Sequence, residues 1–313
     1  MIDLKNVATS KQVSFSYTGL AGTPRRERTR GIFVALRFDS SASWEFYRRL
    51  EAHVLRLPTP PNDKLETKHG KGLPGEEWAD KIRELIKSCK IAVGDVTGCH
   101  GDVLFELGVA YGSGEPIIPA VEQEGNMRDC PFWLRRHNVA SYQEDDGILS
   151  IATSIYDFFF GEQRIRPATV PQPLPQVFGY IGKTAWNGHF LDQAERALQH
   201  EALRLEGLDS IEDSNCQQAL RLAARARILI LSLDGTESDC FMHFACGMVA
   251  GHEHAGYGSK RLSRRVFLLT ESPGVPVPES IVWFPKTIVA VKTDELMRDF
   301  REEISNYKQW IGG

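Results

Sequence analysis

Four features that would place the chain in a special class are missing from its sequence. No apolar run approaches the roughly 20 residues that a membrane-spanning helix needs, and the start, "MIDLKNVATSKQVSFSYTG", has no signal-peptide pattern. The six cysteines include no CxxC pair, so neither a disulfide framework nor a zinc site is indicated. The net charge of -4 offers no broad attraction to nucleic acid or anionic lipid. We therefore expect a cytosolic protein with reduced thiols, no membrane contact and no direct nucleic-acid binding.

What the sequence does contain is an alternation of apolar and amphipathic segments. Runs such as "GIFVALRF" and "KIAVGDVTG" suit buried strands, whereas "SWEFYRRLEAHVLRL" and "EEWADKIRELIKSC" carry apolar residues at helical spacing. Trp44 and Trp78 follow that spacing, which favours core positions over base-stacking platforms. Residues 58–75, "PTPPNDKLETKHGKGLPG", predict a loop. The alternation predicts an α/β fold with two tandem flavodoxin- or Rossmann-like domains, whose parallel sheets are flanked by helices.

A proline-rich segment divides the chain. Residues 164–176, "RIRPATVPQPLPQ", contain four prolines and resist regular structure, which is typical of a linker. We expect an N-terminal arm over residues 1–30, a first domain over 31–163, the linker over 164–176 and a second domain over 177–313.

The second half repeats the first at one offset. The segment "SLDGTESDCFMHFACGMVAG" aligns with "DVTGCHGDVLFELGVAYGSG" at a separation of 137 positions, which indicates an internal duplication. His243 then falls on Glu106 and Ser232 on Asp95, so the second copy has lost two acids. We infer that folding does not require these acids and that any chemistry is confined to the N-terminal half. The second, degenerate copy would then serve in dimerisation, in ligand sensing or in support of the first copy.

The acids of the first copy lie where ligands bind in open parallel sheets. Asp95 ends a predicted strand, Gly98 permits a tight turn, and Asp102 and Glu106 follow at the start of the next helix. Asp102 alone is typical of a helix cap. Glu106 lies among apolar residues, and we expect the helix dipole to keep it ionised. A carboxylate so placed can stabilise or trap the cationic sugar that forms when an N-glycosidic bond breaks.

Arg37 and Asp39, just after the first strand, occupy the corresponding strand end. They favour either contacts to a phosphate or ribose hydroxyl, or a surface ion pair.

Two further groups in loops have alternative interpretations. His69 with Lys68 and Lys71 could close over a ligand, although such a loop is more often a solvated tip. Cys99 and His100 adjoin, but no second Cys/His pair at ligand spacing accompanies them, so we expect no metal.

Taken together, "IFVALRFD" and "ADKIRELIKSCKIAVGDVTGCHGDVLFELGVAYGSGEPIIP" resemble the nucleoside 2-deoxyribosyltransferase-like family, a neighbour of the Toll/interleukin-1 receptor-like domains that cleave NAD. The resemblance covers about residues 31–160. Its specific part is the Asp-x-Thr-Gly turn at 95–98 followed by Asn/Asp-Val-x-x-Glu-Leu-Gly-x-Ala at 102–110.

The resemblance implies that Glu106 is the nucleophile that attacks the anomeric carbon and that Asp95 helps to hold the sugar or base. The ligand would be a nucleoside, a nucleotide or an NAD-like molecule, with no cofactor. The candidate substrate-binding residues are Asp102, Gly98, Arg37, Asp39 and His100.

Three functions follow as expectations. The first is cleavage or transfer of an N-glycosidic bond through Glu106. The alternative is a non-catalytic sensor of a nucleotide-like signal in antiphage or stress defence. The third, a structural dimerisation protein, would leave the acids without a purpose. A homo-oligomer is compatible with each of them.

Overall fold

The computed structural model describes most of the chain between residues 28 and 311. The described ranges are 28–61, 63–71, 78–123, 130–131, 133–137, 139–161, 177–183, 186–201, 203–226, 228–233, 238–254, 265–270, 287–290 and 293–311. The predicted linker lies outside these ranges, and so does the predicted arm except for residues 28–30, with which the first strand begins.

The first half forms a five-stranded parallel sheet. Its strand order is β2-β1-β3-β4-β5, the flavodoxin-like order. The strands are β1 (Arg28–Ala35), β2 (Asp63–Lys68), β3 (Cys89–Asp95), β4 (Ile117–Val121) and β5 (Ala140–Ser141). Strand β2 corrects the prediction of a loop over 58–75. Among the described strands it pairs with β1 alone, as a polar edge strand, so its sequence lacks the apolar signal of a buried strand.

Four helices cover the two faces of this sheet. They are α1 (Ser41–Leu55), α2 (Trp78–Ser88), α3 (Gly101–Gly112) and α4 (Asp145–Phe160). The helices α1 and α4 pack with the side chains of Ile91 and Val93 on one face. The helices α2 and α3 pack with Ala92 and Val96 on the other, as the alternation of side chains along β3 requires.

The second half repeats this arrangement. Its strands are β6 (Val177–Ile181), β7 (Arg204–Leu208), β8 (Ile228–Leu233), β9 (Arg265–Thr270) and β10 (Thr287–Ala290). The order β10-β9-β8-β6-β7, all parallel, is the order of the first sheet when counted from β6. The expected pair of α/β units with parallel sheets is therefore confirmed.

The helices of the second half are α5 (Gly188–His200), α6 (Cys216–Arg225), α7 (Ser238–His254) and α8 (Thr293–Ile311). Helix α5 ends at His200, and β7 begins shortly afterwards at Arg204. The starts of α3 and α7, residues 101 and 238, are 137 positions apart, which is the offset of the sequence repeat.

The two halves meet through α3 and α7. Phe105 contacts Gly247 and Val109 contacts Gly251, so the two helices run in the same direction. Glycine on each helix brings the backbones into direct contact. A single apolar core extends through the α2, α3, α6 and α7 layer, between the two sheets. The carboxyl edges of both sheets therefore lie at the same end of the molecule.

Candidate functional site

Asp95, at the end of β3, is buried and fully engaged by its surroundings. Its carboxylate accepts hydrogen bonds from the Ser43 hydroxyl in α1 and from the Thr97 backbone N–H at 3.1 Å. The Tyr142 hydroxyl donates to it as well, and burial together with the nearby charge of Asp95 raises the pKa of Tyr142. Asp95 thus fastens α1 and the segment after β5 to the central strand.

The second half uses the position of Asp95 in a similar way. Ser232, which the repeat aligns with Asp95, is buried and accepts a hydrogen bond from the side-chain amide of Asn187, just before α5. Both halves therefore join their first helix to their central strand through a buried polar pair. The hydrogen bond to Ser43 gives Asp95 a structural role. The repeat had indicated the opposite, because the second copy has no acid at this position.

Glu106 lies on the other face of the sheet. It is six residues into α3 counting from Gly101, and only 2% of its surface is exposed. One carboxyl oxygen lies 3.4 Å from where a Cβ of Gly70 would be, in the loop after β2. Because Asp95 shares the α1 face with Ile91 and Val93, the two predicted catalytic acids are separated by the sheet.

Burial sets the protonation of Glu106. It raises the pKa of the carboxyl well above the ordinary value of 4.5, and the nearby charge of Asp102 raises it further. The direction of this pKa shift is opposite to the one expected from the helix dipole, which favours the ionised form. The residue lies beyond the first helical turn, where the dipole acts, and desolvation dominates.

The turn between β3 and α3 has an unusual backbone. Gly98 has φ 70° and Cys99 has φ 54°, so two consecutive residues are left-handed. The Arg37 guanidinium lies 3.7 Å from where a Cβ of Gly98 would be. Arg37 also forms a 3.7 Å ion pair with Asp39, whose side chain is largely exposed. The structure thus contains the ion pair and also holds Arg37 against the turn.

Three residues at the start of α3 and on α7 form a polar group, which we call the junction cluster: His100, Asp102 and His243. His100 precedes α3, and its buried Nδ1 has no hydrogen-bond partner among the described residues. His243 lies on α7, and its pKa is lowered to about 4 by burial, opposed by Asp102 and assisted by His100. Sequence reasoning treated His243 only as a lost glutamate and missed its place beside Asp102.

An aromatic cluster lies at the carboxyl edge of the first sheet, beside the loop after β2. It consists of Phe38, Trp44, Tyr47 and His69. The His69 ring lies 4.9 Å from Tyr47, 5.2 Å from Trp44 and 6.3 Å from Phe38. The Lys71 ammonium lies 4.2 Å above the Trp44 ring.

This cluster revises the interpretation of His69. Its ring is packed against other rings and is not a solvated tip, and burial lowers its pKa, assisted by the charge of Lys71. Trp44 is half-buried and packs against the core on the α1 face, in agreement with its helical spacing. The side chain of Trp78 lies outside what the structure describes.

Neither a metal cluster nor a membrane span is found in the described part of the chain. No group of three His, Cys, Asp or Glu side chains there is arranged to hold a metal ion, and none of the helices described is long and apolar enough to cross a bilayer. The six cysteines all lie in the described ranges, and none of them forms a disulfide there.

Comparison with known proteins gives low similarity throughout. No protein-family model matches the chain, and no curated protein matches it significantly. Among solved structures, a two-component system response regulator/GGDEF domain protein is 10% identical with a TM-score of 0.30, over 89% of this chain and 99% of that one.

Two other solved structures give the same picture. The ABC domain in complex with L-Trp from Streptococcus pneumonia is 10% identical with a TM-score of 0.23, over 91% of this chain and 85% of that one. A conserved domain protein from Vibrio cholerae is 10% identical with a TM-score of 0.24, over 91% and 86%. TM-scores this low carry no argument about function, which has to come from the site itself.

Proposed function

We propose that the N-terminal half binds a nucleoside, nucleotide or NAD-like ligand at the carboxyl edge of its sheet and that Glu106 acts there on the N-glycosidic bond. The observation that carries the proposal is the Glu106 carboxyl, which is 2% exposed, lies against Gly70 in the loop after β2, and has its pKa raised by burial. Burying a carboxyl is costly, and ionisable groups with strongly shifted pKa values concentrate at functional sites.

The surroundings of Glu106 fit the parts of such a ligand. The aromatic cluster lies next to Gly70 in the same loop and offers ring faces on which a base can stack. Arg37 and Lys71 supply positive charge for phosphate groups. The left-handed turn at Gly98 and Cys99 lets backbone N–H groups approach an anion closely.

A protonated Glu106 suits the first step of glycosidic cleavage. As the C–N bond of a nucleoside or nucleotide breaks, its electron pair stays on the base, which takes the proton from Glu106. The carboxylate that results stabilises the positive charge on the sugar, and water then bonds to the anomeric carbon and gives a proton back to the carboxylate. The nicotinamide of an NAD-like ligand leaves as a neutral base without this proton, so there an ionised Glu106 would act only by stabilising the sugar cation and accepting the proton of water. The raised pKa thus favours an acid that becomes a stabilising anion during the reaction.

The second candidate is the non-catalytic sensor of a nucleotide-like signal. The observation that favours it is the engagement of Asp95, whose carboxylate already has Ser43, Thr97 and Tyr142 as donors. Such an acid is less able to assist Glu106, so the site would bind without turnover. A cytosolic role in antiphage or stress defence belongs to this candidate.

One experiment separates the two candidates. The full chain is incubated with nucleosides, nucleotides and NAD, released base is followed by chromatography, and binding is followed by calorimetry. We expect base release by the wild type, none by Glu106→Gln, and normal release by the control Glu195→Gln, which alters an exposed glutamate of α5. Binding without release supports the sensor. A wild type that neither binds nor cleaves any compound of the panel overturns the proposal.

A further inference from the structure

The N-termini of α3 and α7 come together where the two halves meet. Phe105 lies opposite Gly247 and Val109 lies opposite Gly251. Since both contacts advance by four residues, one helical turn back brings His243 opposite Gly101, the first residue of α3. The C-terminal half thus brings an imidazole to the edge of the predicted site in the N-terminal half.

The His243 side chain is poorly satisfied by the protein. It is 8% exposed, and its buried Nδ1 has no hydrogen-bond partner among the residues that the structure describes. A buried polar atom without a partner destabilises the folded state, and such atoms in native proteins call for an explanation. Nδ1 of His100, beside Gly101, is buried without a described partner as well. Two ring nitrogens therefore lack partners on the two sides of one junction.

Asp102 connects this junction to Glu106. Its charge acts on the pKa of Glu106 in the N-terminal half and on that of His243 in the C-terminal half. In α3, Asp102 directly follows Gly101, which lies opposite His243, and it precedes Glu106 by one helical turn. A ligand whose base end is near Gly70 and Glu106 would have its sugar next to Asp102.

We propose that His243 completes the site of the N-terminal half by binding, together with Asp102, the vicinal hydroxyls of the ligand's sugar. A carboxylate accepts hydrogen bonds, and a neutral imidazole donates from one nitrogen and accepts at the other, so the pair matches hydroxyls that do both. This inference rests on the proposed function and extends it, because it makes the ligand a ribosyl compound and gives the C-terminal half a direct part in binding.

The test is a thermodynamic cycle with two changes. One change is a substitution of His243 in the protein, and the other is removal of the two hydroxyls from the sugar of the ligand. Calorimetry measures the Kd of the nucleoside that the wild type binds most tightly and of its 2′,3′-dideoxy counterpart. Wild type is compared with His243→Phe, with His243→Gln, and with the control His189→Phe, which alters an exposed histidine of α5.

We expect His243→Phe to weaken nucleoside binding about tenfold, as the loss of one or two hydrogen bonds does, and to leave the dideoxy compound unaffected. His243→Gln, which keeps a donor and an acceptor, should restore part of the affinity, and His189→Phe should match the wild type. Dideoxy binding also shows that each variant has a folded site.

Three outcomes contradict the inference. If His243→Phe binds both compounds as the wild type does, His243 is not part of the site, although the proposed function stands. If it weakens both compounds equally, the effect is on the fold and not on the hydroxyls. If the wild type binds no nucleoside, no nucleotide and no NAD, the proposed function fails and the inference fails with it.

Discussion

The contact between α3 and α7 leaves no room for a side chain at Gly108. A Cβ added there would lie 3.0 Å from the carbonyl carbon of Phe244 and from the backbone nitrogen of Met248, and closer still to the carbonyl oxygen of Phe244. Non-bonded carbon atoms settle at about 3.5–4.0 Å. Because the obstructing atoms are backbone, no side-chain rotation relieves the clash, and Gly108→Ala must push the helices apart by about 0.5 Å or more.

The cost of this separation follows from two opposing effects. Overpacking a close-packed interior costs up to about 3 kcal/mol, whereas alanine in place of a helical glycine returns about 1 kcal/mol. We expect Gly108→Ala to lower the free energy of unfolding by about 2 kcal/mol, measured by urea denaturation.

The control is Gly188→Ala at the start of α5, where a Cβ would make only an ordinary 3.7 Å contact with Lys183. We expect its stability to stay within about 0.5 kcal/mol of the wild type. A Gly108→Ala protein as stable as the wild type would show that the helices are not in backbone contact.

Three further predictions concern buried polar groups and can be checked by urea denaturation across pH. Because the pKa of Glu106 is raised in the folded state, the free energy of unfolding of the wild type should fall by about 1.4 kcal/mol per pH unit between pH 4.5 and the folded pKa. Glu106→Gln should lack this slope. The same slope in that variant would contradict the raised pKa of Glu106. His243, lowered from 6.5 to about 4, takes up a proton first in the unfolded state, so stability should fall by about 3 kcal/mol as pH drops through that range. His243→Phe should remove the loss; persistence of the loss in that variant would assign it to another group. Asp95→Ala leaves Ser43 and its other donors unsatisfied and should lower stability by about 3 kcal/mol, whereas exposed Asp39→Ala should change it by less than about 1 kcal/mol; equal effects would refute a structural role for Asp95.

The alternation of strands and helices could be predicted from the sequence, whereas the edge strands of the sheets could not. Strand β3 and the helices that flank it have strong apolar periodicity, so the alternation of strands and helices could be read directly. Strand β2 is polar, and β5 contains only two residues. Edge strands of this kind are defined by pairing with a distant partner, such as Arg28 with Asp63, and that partner leaves no local signal.

The positions of the candidate residues could be predicted from the sequence, whereas the pKa shift of Glu106 could not. Proximity of Asp95, Gly98 and Glu106 to the carboxyl edge follows from the position of each residue after a strand. The protonation of Glu106 could not be predicted, because it depends on burial near Gly70, which is 36 positions earlier in the chain. The neighbourhood of His243 depends on how two halves pack, which no single segment encodes.

The parallel pairing of α3 and α7 gives this chain the geometry of a two-fold dimer within one polypeptide. In a homodimer every substitution appears twice, so both copies of a helix must keep the same residues. Here Glu106 and His243 occupy equivalent positions and differ. The covalent connection also makes the pairing an intramolecular event, whose extent does not change with dilution. Each molecule therefore always contains one copy of each of two different surfaces, one from each half, and both can contact the same ligand.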